Sequence, residues 1–286
     1  LEALKVRLVG QVLRKIRSAA PFFLRTVLPP AEFEGREIRA VERLGKRIVF
    51  VFPDEHFMVL HLMIAGRLHW KTAGAAVIGR IGLAAFDFDD GTLVVTEAGT
   101  KKRASLHLVY GREALIPFER GGLNVSEASL PEFAARLTSE NHTLKRALTD
   151  PRLFDGIGNA YSDEILHHAR LSPAKLTQKM TAEEIERLFE SCRSQLLLWI
   201  ERLRAEVQGG FPEKVTAFRA DMAVHGKYGK PCPRCGTMVQ RIRYADHETN
   251  YCPRCQTDGR LLSDRSLARL LKQDWPRTID ELENRR

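Results

Sequence analysis

Two pairs of thiols carry the plainest chemistry in the chain. Cys232-Pro-Arg-Cys235 is followed, after sixteen residues, by Cys252-Pro-Arg-Cys255. Each knuckle sets two thiolates on one side of a tight turn, and two such turns complete a tetrahedron around a metal with no geometric preference of its own. The spacing predicts one structural Zn2+ held by Cys232, Cys235, Cys252 and Cys255. Two disulfides, or two unrelated reduced pairs, are the alternatives, and the symmetric spacing with identical Pro-Arg inserts counts against both. Between the knuckles lie Arg241, Arg243 and His247, so the metal would stiffen a hairpin that presents positive charge.

A second constellation is Gly156-Ile-Gly158-Asn159, set between two helical stretches. Glycines let a partner approach the backbone closely, and the following helix begins with free N–H groups, which suits an anion such as phosphate. An ordinary helix–helix turn carries the same signature. Lys101, Lys102 and Arg103 form a basic run that fits either phosphate contact or a solvated loop.

The elements that must position these groups follow from hydropathy. Leu1, Leu4 and Leu8 give a helix over 1–10, ended by Gly10. Short strands are predicted at 48–52, 57–62, 84–88, 92–96 and 105–109, with Asp89-Asp-Gly91 as a hairpin turn. Residues 116–128, with Pro117 and Gly121-Gly122, read as a linker. The period then turns helical. Ser129 with Glu132 and Thr181 with Glu184 are capping boxes, and helices are expected at 141–149, 160–169, 181 to about 207, and 263–273. The expected fold class is α+β: a β-sandwich with a leading helix over 1–115, a helical domain over 129–225, a zinc finger over 226–260 and a helical extension over 261–286.

The chain has 286 residues, enough for two cores, and its 45 Lys plus Arg against 36 Asp plus Glu give a net charge of +9. That excess suits a polyanionic partner. Four of the five cysteines sit in the knuckles, and Cys192 stands alone in a helical stretch as a small buried hydrophobe. Free thiols and a metal site point to a reducing compartment, and no apolar run is long enough to span a bilayer. A soluble, cytoplasmic, monomeric protein is expected.

The turn at 144–166 and the basic hairpin held on zinc together resemble the formamidopyrimidine-DNA glycosylase / endonuclease VIII family. The resemblance covers nearly the whole chain: a leading helix, a sandwich with a His61-Leu-Met-Ile-Ala-Gly66 strand end, a helix-two-turn-helix at 144–166, and the finger. It implies that the partner is double-stranded DNA containing damaged bases or abasic sites. Such enzymes flip the damaged base from the stack, cut its glycosidic bond and nick the backbone. The family's nucleophile is the amine of an N-terminal proline, which forms a Schiff base with the sugar while an adjacent glutamate moves protons. The resemblance makes Lys46 the lysine near the lesion phosphate, His61 a phosphate contact, and Ile64 the side chain that fills the gap left by the flipped nucleotide. It makes Gly158 and Asn159 the grip on the flanking backbone, and Lys214 a lysine of the mobile loop before the finger. Each also fits a plain role: an edge lysine for Lys46, a core histidine for His61, core for Ile64, a solvated loop for Lys214.

Three departures stand out. The chain begins at Leu1 inside the first helix, without the family's Pro-Glu start, and alignment of that helix puts about ten residues ahead of it. The expectation is that the full N-terminus supplies the nucleophile; Lys46 is the least unsuitable internal amine, and it would first have to lose its proton. His247 stands where the family's finger carries an arginine, which exchanges a permanent bidentate cation for a group that titrates near 6.5. The loop from Thr96 to Ser105 lacks the family's Pro-Arg-Arg-Phe-Gly stretch. A non-catalytic binder of damaged or abasic DNA, and an RNA-binding protein, are the competing readings.

Overall fold

Apolar residues at every second position build two facing sheets. The structure is a computed structural model, and it describes residues 1–77, 79–213, 215–244, 247–263 and 276–284. Its contacts divide the chain into two units, Leu1–Arg120 with Arg204–Val215, and Gly121–Leu203 with Thr216–Arg286.

The first unit opens with helix α1 (Glu2–Leu8) and continues with eight strands. These are β1 (Lys15–Ser18), β2 (Ala40–Leu44), β3 (Arg47–Val51), β4 (His56–His61), β5 (Gly66–Lys71), β6 (Gly82–Asp87), β7 (Thr92–Glu97) and β8 (Ser105–Tyr110). They form two antiparallel sheets, ordered β1-β6-β7-β5 and β2-β3-β4-β8. Phe50, Met58, Leu60, Phe86, Leu93, Val95 and Leu106 alternate into one shared core, as a sandwich requires. The alternate residues Val49, Phe57 and Val59 point out of the second sheet and are covered by Leu115 and Phe118 from a 3-10 segment, Arg112–Phe118. The five strands expected from sequence are present. The three that sequence did not suggest, β1, β2 and β5, are sheet edges. Their charged residues, such as Lys15, Arg17, Glu42, Arg43 and Arg67, blunt an exposed edge and at the same time mask the strand pattern.

The second unit is helical, with α2 (Leu130–Thr138), α3 (Leu144–Thr149), α4 (Asn159–His168) and the long α5 (Ala182–Val207), whose residues from Arg204 on count with the first unit. Both capping boxes form: Ser129 exchanges hydrogen bonds with Glu132, and Thr181 with Glu184. Phe133, Leu137, Leu144, Leu148, Phe154, Ile165, Leu188 and Cys192 make its core. Cys192 is fully buried, and burial pushes its thiol pKa up, so it is a hydrophobe. The finger follows as a hairpin, β9 (Gln240–Tyr244) and β10 (His247–Tyr251), and a short helix, α6 (Pro253–Thr257); helix α7 (Ile279–Glu283) comes later. Most of the helix expected at 263–273 lies outside the described residues.

Candidate nucleic-acid interface and zinc centre

The knuckles converge. The four Sγ atoms of Cys232, Cys235, Cys252 and Cys255 lie within 4.8 Å of one another. Cys232 is 3.9 Å from Cys255, and Cys235 is 3.4 Å from Cys252. Zinc–sulfur bonds of about 2.3 Å set tetrahedral sulfur–sulfur edges near 3.8 Å, so the donor set fits one zinc ion. The first knuckle is a turn in which Cys232 N–H donates to the Thr237 carbonyl at 2.9 Å. The second opens α6, and the Cys252 N–H donates to Gln256 Oε1 at 2.8 Å. Burial pushes the Cys255 thiol up to about 11, so filling the site releases protons.

The turn at 150–158 delivers Asn159 to the start of α4. Gly156 has φ +80°, a left-handed conformation that favours glycine, whereas Gly158 is extended. Gly158 is the N-cap of α4 and supplies no side-chain cap. Lys145 on α3 braces the helix start: its Nζ donates to the Asn159 carbonyl at 2.7 Å, to Ser162 Oγ at 2.8 Å and to Asp163. Burial lowers the Lys145 pKa, and the Asp163 charge opposes that shift. Asp163 also meets His225 Nδ1 at 2.8 Å and accepts the Asn250 N–H at 3.2 Å. Glu164 accepts three backbone N–H groups, from Ala223 at 2.8 Å and from Val224 and His225 at 2.9 Å each. Asn159 Nδ2 donates to the Glu248 carbonyl at 3.0 Å. The turn and the finger are thus one hydrogen-bonded assembly within the second unit.

Arg241 and Arg243 lie on β9 as the hairpin reading requires. Both reach Glu248 Oε2 across the hairpin, at 3.3 and 3.2 Å. Burial would raise the Glu248 pKa, but Asn250 and the two arginines outweigh it and hold the carboxyl below its usual range. Arg241 also stacks on Tyr228, 4.0 Å from the ring centroid. Glu248 therefore competes with any phosphate for both arginines, a partner the spacing of the arginines did not reveal. The His247 side chain and Lys214 lie outside the described residues.

In the first unit, β4 ends at His61 and a tight turn leads to β5. Met63 adopts φ +55°, and Ile64 is 74% exposed, so it stands out from the sandwich and is no core residue. The Gly66 N–H donates to the Leu62 carbonyl at 2.9 Å, and a Cβ on Gly66 would lie 2.2 Å from that oxygen. Arg67 locks the turn from outside, donating to the Ile64 and Gly66 carbonyls at 3.1 and 2.7 Å. His61 pairs with Arg47 across β3–β4, and Lys46 precedes Arg47 in an exposed turn. Burial, then the charges of Arg47, Lys46 and Arg120 and the His107 ring, pushes the His61 pKa down to about 4. Arg47 donates to the Phe118 carbonyl at 3.2 Å, and His107 meets the Phe118 ring edge-on at 4.9 Å. Positive and neutral nitrogen donors thus gather at one end of the outer sheet face. Sequence reasoning named Lys46 and His61; strand register and the 3-10 segment bring Arg47, His107 and Arg120 beside them.

The loop after β7 is folded around a buried carboxylate. Glu97, 2% exposed, accepts the backbone N–H groups of Arg103 and Ala104, and Lys102 Nζ donates to the Glu97 carbonyl. Lys101, Lys102 and Arg103 are all exposed. The segment before Lys214 is anchored on the same unit: Glu213 meets His69 Nδ1 at 2.7 Å and Lys71 Nζ at 3.3 Å.

Comparison with known proteins gives this geometry its context. The formamidopyrimidine-DNA glycosylase N-terminal domain matches residues 1–103, its H2TH domain residues 123–208, and a zinc finger found in these enzymes and in isoleucyl-tRNA synthetases residues 229–257. A formamidopyrimidine-DNA glycosylase from Thermus thermophilus is 32% identical over 269 residues, covering 90% of this chain and 95% of its own. The chain belongs to the formamidopyrimidine-DNA glycosylase family. Another relative, a formamidopyrimidine-DNA glycosylase-like protein of Mycobacterium tuberculosis, is 37% identical over 151 residues, 53% of this chain and 94% of its own. The Lactococcus lactis glycosylase, solved on DNA containing an abasic site, superposes with a TM-score of 0.76 at 26% identity, covering 90% of this chain and 96% of that one. The same enzyme solved on Fapy-dG-containing DNA gives 0.78 at the same identity and coverage. The glycosylase family's three parts are all present here, with one structural zinc site in the finger. No helix among the described residues is long and apolar enough to cross a membrane.

Proposed function

We propose that this protein is a base-excision repair glycosylase with lyase activity, acting as a cytoplasmic monomer on double-stranded DNA. It removes oxidised or ring-opened bases and nicks the backbone through a Schiff base. The observation that carries the reading is the assembly around α4: an N-terminus with no side-chain cap, at Gly158–Asn159, braced by Lys145 and tied to a finger whose four sulfurs fit zinc. Helix N–H groups and an amide side chain there suit a DNA phosphate.

The residues divide by task. Asn159 and the α4 N-terminus grip the backbone, and Arg241 and Arg243 add charge once they share or leave Glu248. His61 offers a neutral imidazole to a phosphate, beside the fixed charges of Lys46, Arg47 and Arg120. Ile64, held out on its locked turn, enters the stack where a base has left. Lys101, Lys102 and Arg103 meet the opposite strand. Zinc, when bound, supplies the folding of the hairpin and takes no part in bond cleavage. In the family's chemistry the lyase step uses an N-terminal proline amine, and the lyase part of this proposal requires such a group in the protein made from its full reading frame.

Borohydride trapping on duplex DNA containing an abasic site tests the reading, using protein made from its full reading frame. A covalent protein–DNA adduct and base release from a Fapy-containing duplex are expected. Tight binding to abasic DNA with neither adduct nor base release would replace it with a damage binder. Preference for structured RNA over that duplex would refute DNA repair.

A further inference from the structure

α4 touches the zinc knuckle with its last turn as well as gripping the finger with its first. His167 is 4% exposed, and its Nε2 lies 3.2 Å from Cys232 Sγ. Its carbonyl accepts from Arg234 Nη1, inside the same Cys-Pro-Arg-Cys knuckle, at 3.0 Å. Cys232 is itself 2% exposed, so water does not supply this contact. A zinc-bound thiolate can only accept a hydrogen bond, so a ring nitrogen facing it must carry the proton. Four thiolates on one zinc leave a net charge of −2, and a buried N–H donor to one of the sulfurs lowers the cost of that charge.

We propose that His167 is a positioning residue for the metal: its Nε2–H donates to the Cys232 thiolate and ties the zinc to α4. His167 lies eight positions after Asn159, about 12 Å along a helix. The same rigid element therefore carries the sulfur contact at one end and the phosphate grip at the other. The opposite end is fixed to the hairpin by the Asn159–Glu248 bond, so a shift of the knuckle is transmitted along α4. The inference uses the zinc site and stands apart from the lyase chemistry.

Two substitutions test it in the full chain. His167→Phe fills the same slot without a donor, and His167→Gln restores one. Zinc affinity is read by competition with a chromophoric chelator, and the thiolate-to-metal charge-transfer band is read after cobalt substitution. His167→Phe should weaken zinc about 10–100-fold. It should also move the cobalt band to lower energy, as a thiolate relieved of its donor becomes a better electron source, and His167→Gln should recover most of both. Unchanged zinc competition and an unmoved band in a folded His167→Phe protein overturn the proposal. Should His167→Phe fail to fold, imidazole 15N shifts of the parent protein decide: a proton on Nε2 supports the proposal, and one on Nδ1 overturns it.

Discussion

Glu164 offers the sharpest test of how the finger is docked. Its carboxylate, 4% exposed, accepts the N–H groups of three consecutive residues, Ala223, Val224 and His225, on the approach to the first knuckle. A hydrogen bond to a charged acceptor contributes about 1.5–3 kcal/mol net, and a buried donor left alone costs about 1–3 kcal/mol. In Glu164→Gln the amide keeps the shape of the side chain. Whichever way it sits, its NH2 meets at least one backbone N–H donor to donor, and the remaining bonds lose their charged acceptor. The expected cost is about 2 kcal/mol for Gln and about 4 kcal/mol for Ala, which strands all three donors. Hydrogen exchange at 223–225, with zinc saturating, reads that local cost. One factor of ten corresponds to 1.4 kcal/mol, so protection should fall about 30-fold in Glu164→Gln and about 1,000-fold in Glu164→Ala. Exchange protection in Glu164→Gln within about threefold of the parent would refute the account, because the three bonds would then carry no net energy.

Other perturbations have equally definite outcomes. Removing zinc with a chelator should release one equivalent and abolish binding to lesion DNA, since the hairpin carrying Arg241 and Arg243 folds on the metal; unchanged affinity after verified removal contradicts this. Glu248→Gln should remove the carboxylate charge that Arg241 and Arg243 share, tighten DNA binding and steepen the log–log salt dependence by up to about 0.9 for each phosphate gained. Because the folded-state pKa of His61 is about 4, below its ordinary 6.5, the unfolded chain binds the extra proton first. The stability His61 contributes is complete above pH 6.5 and falls as pH drops through that window. His61→Gln should flatten urea-unfolding stability between pH 6.5 and 4, and an unchanged pH profile would refute the assignment. Gly66→Ala should disrupt the Ile64 turn, because the added methyl would sit 2.2 Å from the Leu62 oxygen; unaltered abasic-site binding and an unaltered melting temperature would count against that turn's role.

The zinc ligands were legible because metal geometry converts directly into spacing. The helices α2 and α5 that flank the helix-two-turn-helix were legible because capping boxes are local signals, and Ser129–Glu132 and Thr181–Glu184 behave as their spacing says, whereas the glycine turn before α4 gained its meaning only beside the knuckles. Edge strands were not legible, since the charges of Lys15, Arg17 and Arg43 that protect an edge erase its alternation. Nor were the partners of the basic residues. Glu248 lies five residues beyond Arg243 and meets it only because the hairpin folds back, and Arg120 joins His61 only through the path of a 3-10 segment. A sequence shows where charge is carried but not which carboxylate already holds it.

The composition of α4 has a consequence for how this protein can be made. Ser162, Asp163, Glu164 and His167 are four buried polar side chains on one ten-residue helix. The partners of Asp163, Glu164 and His167 include residues 59 to 87 positions later in the chain, in and before the finger. During synthesis, α4 emerges long before the groups that satisfy it, so the helical core cannot reach its final state until the knuckles have been translated and metallated. The family's modular appearance is therefore misleading for anyone who wishes to excise the helical region. Cut off ahead of the finger, it would expose a helix with the polarity of a binding surface and nothing to bind.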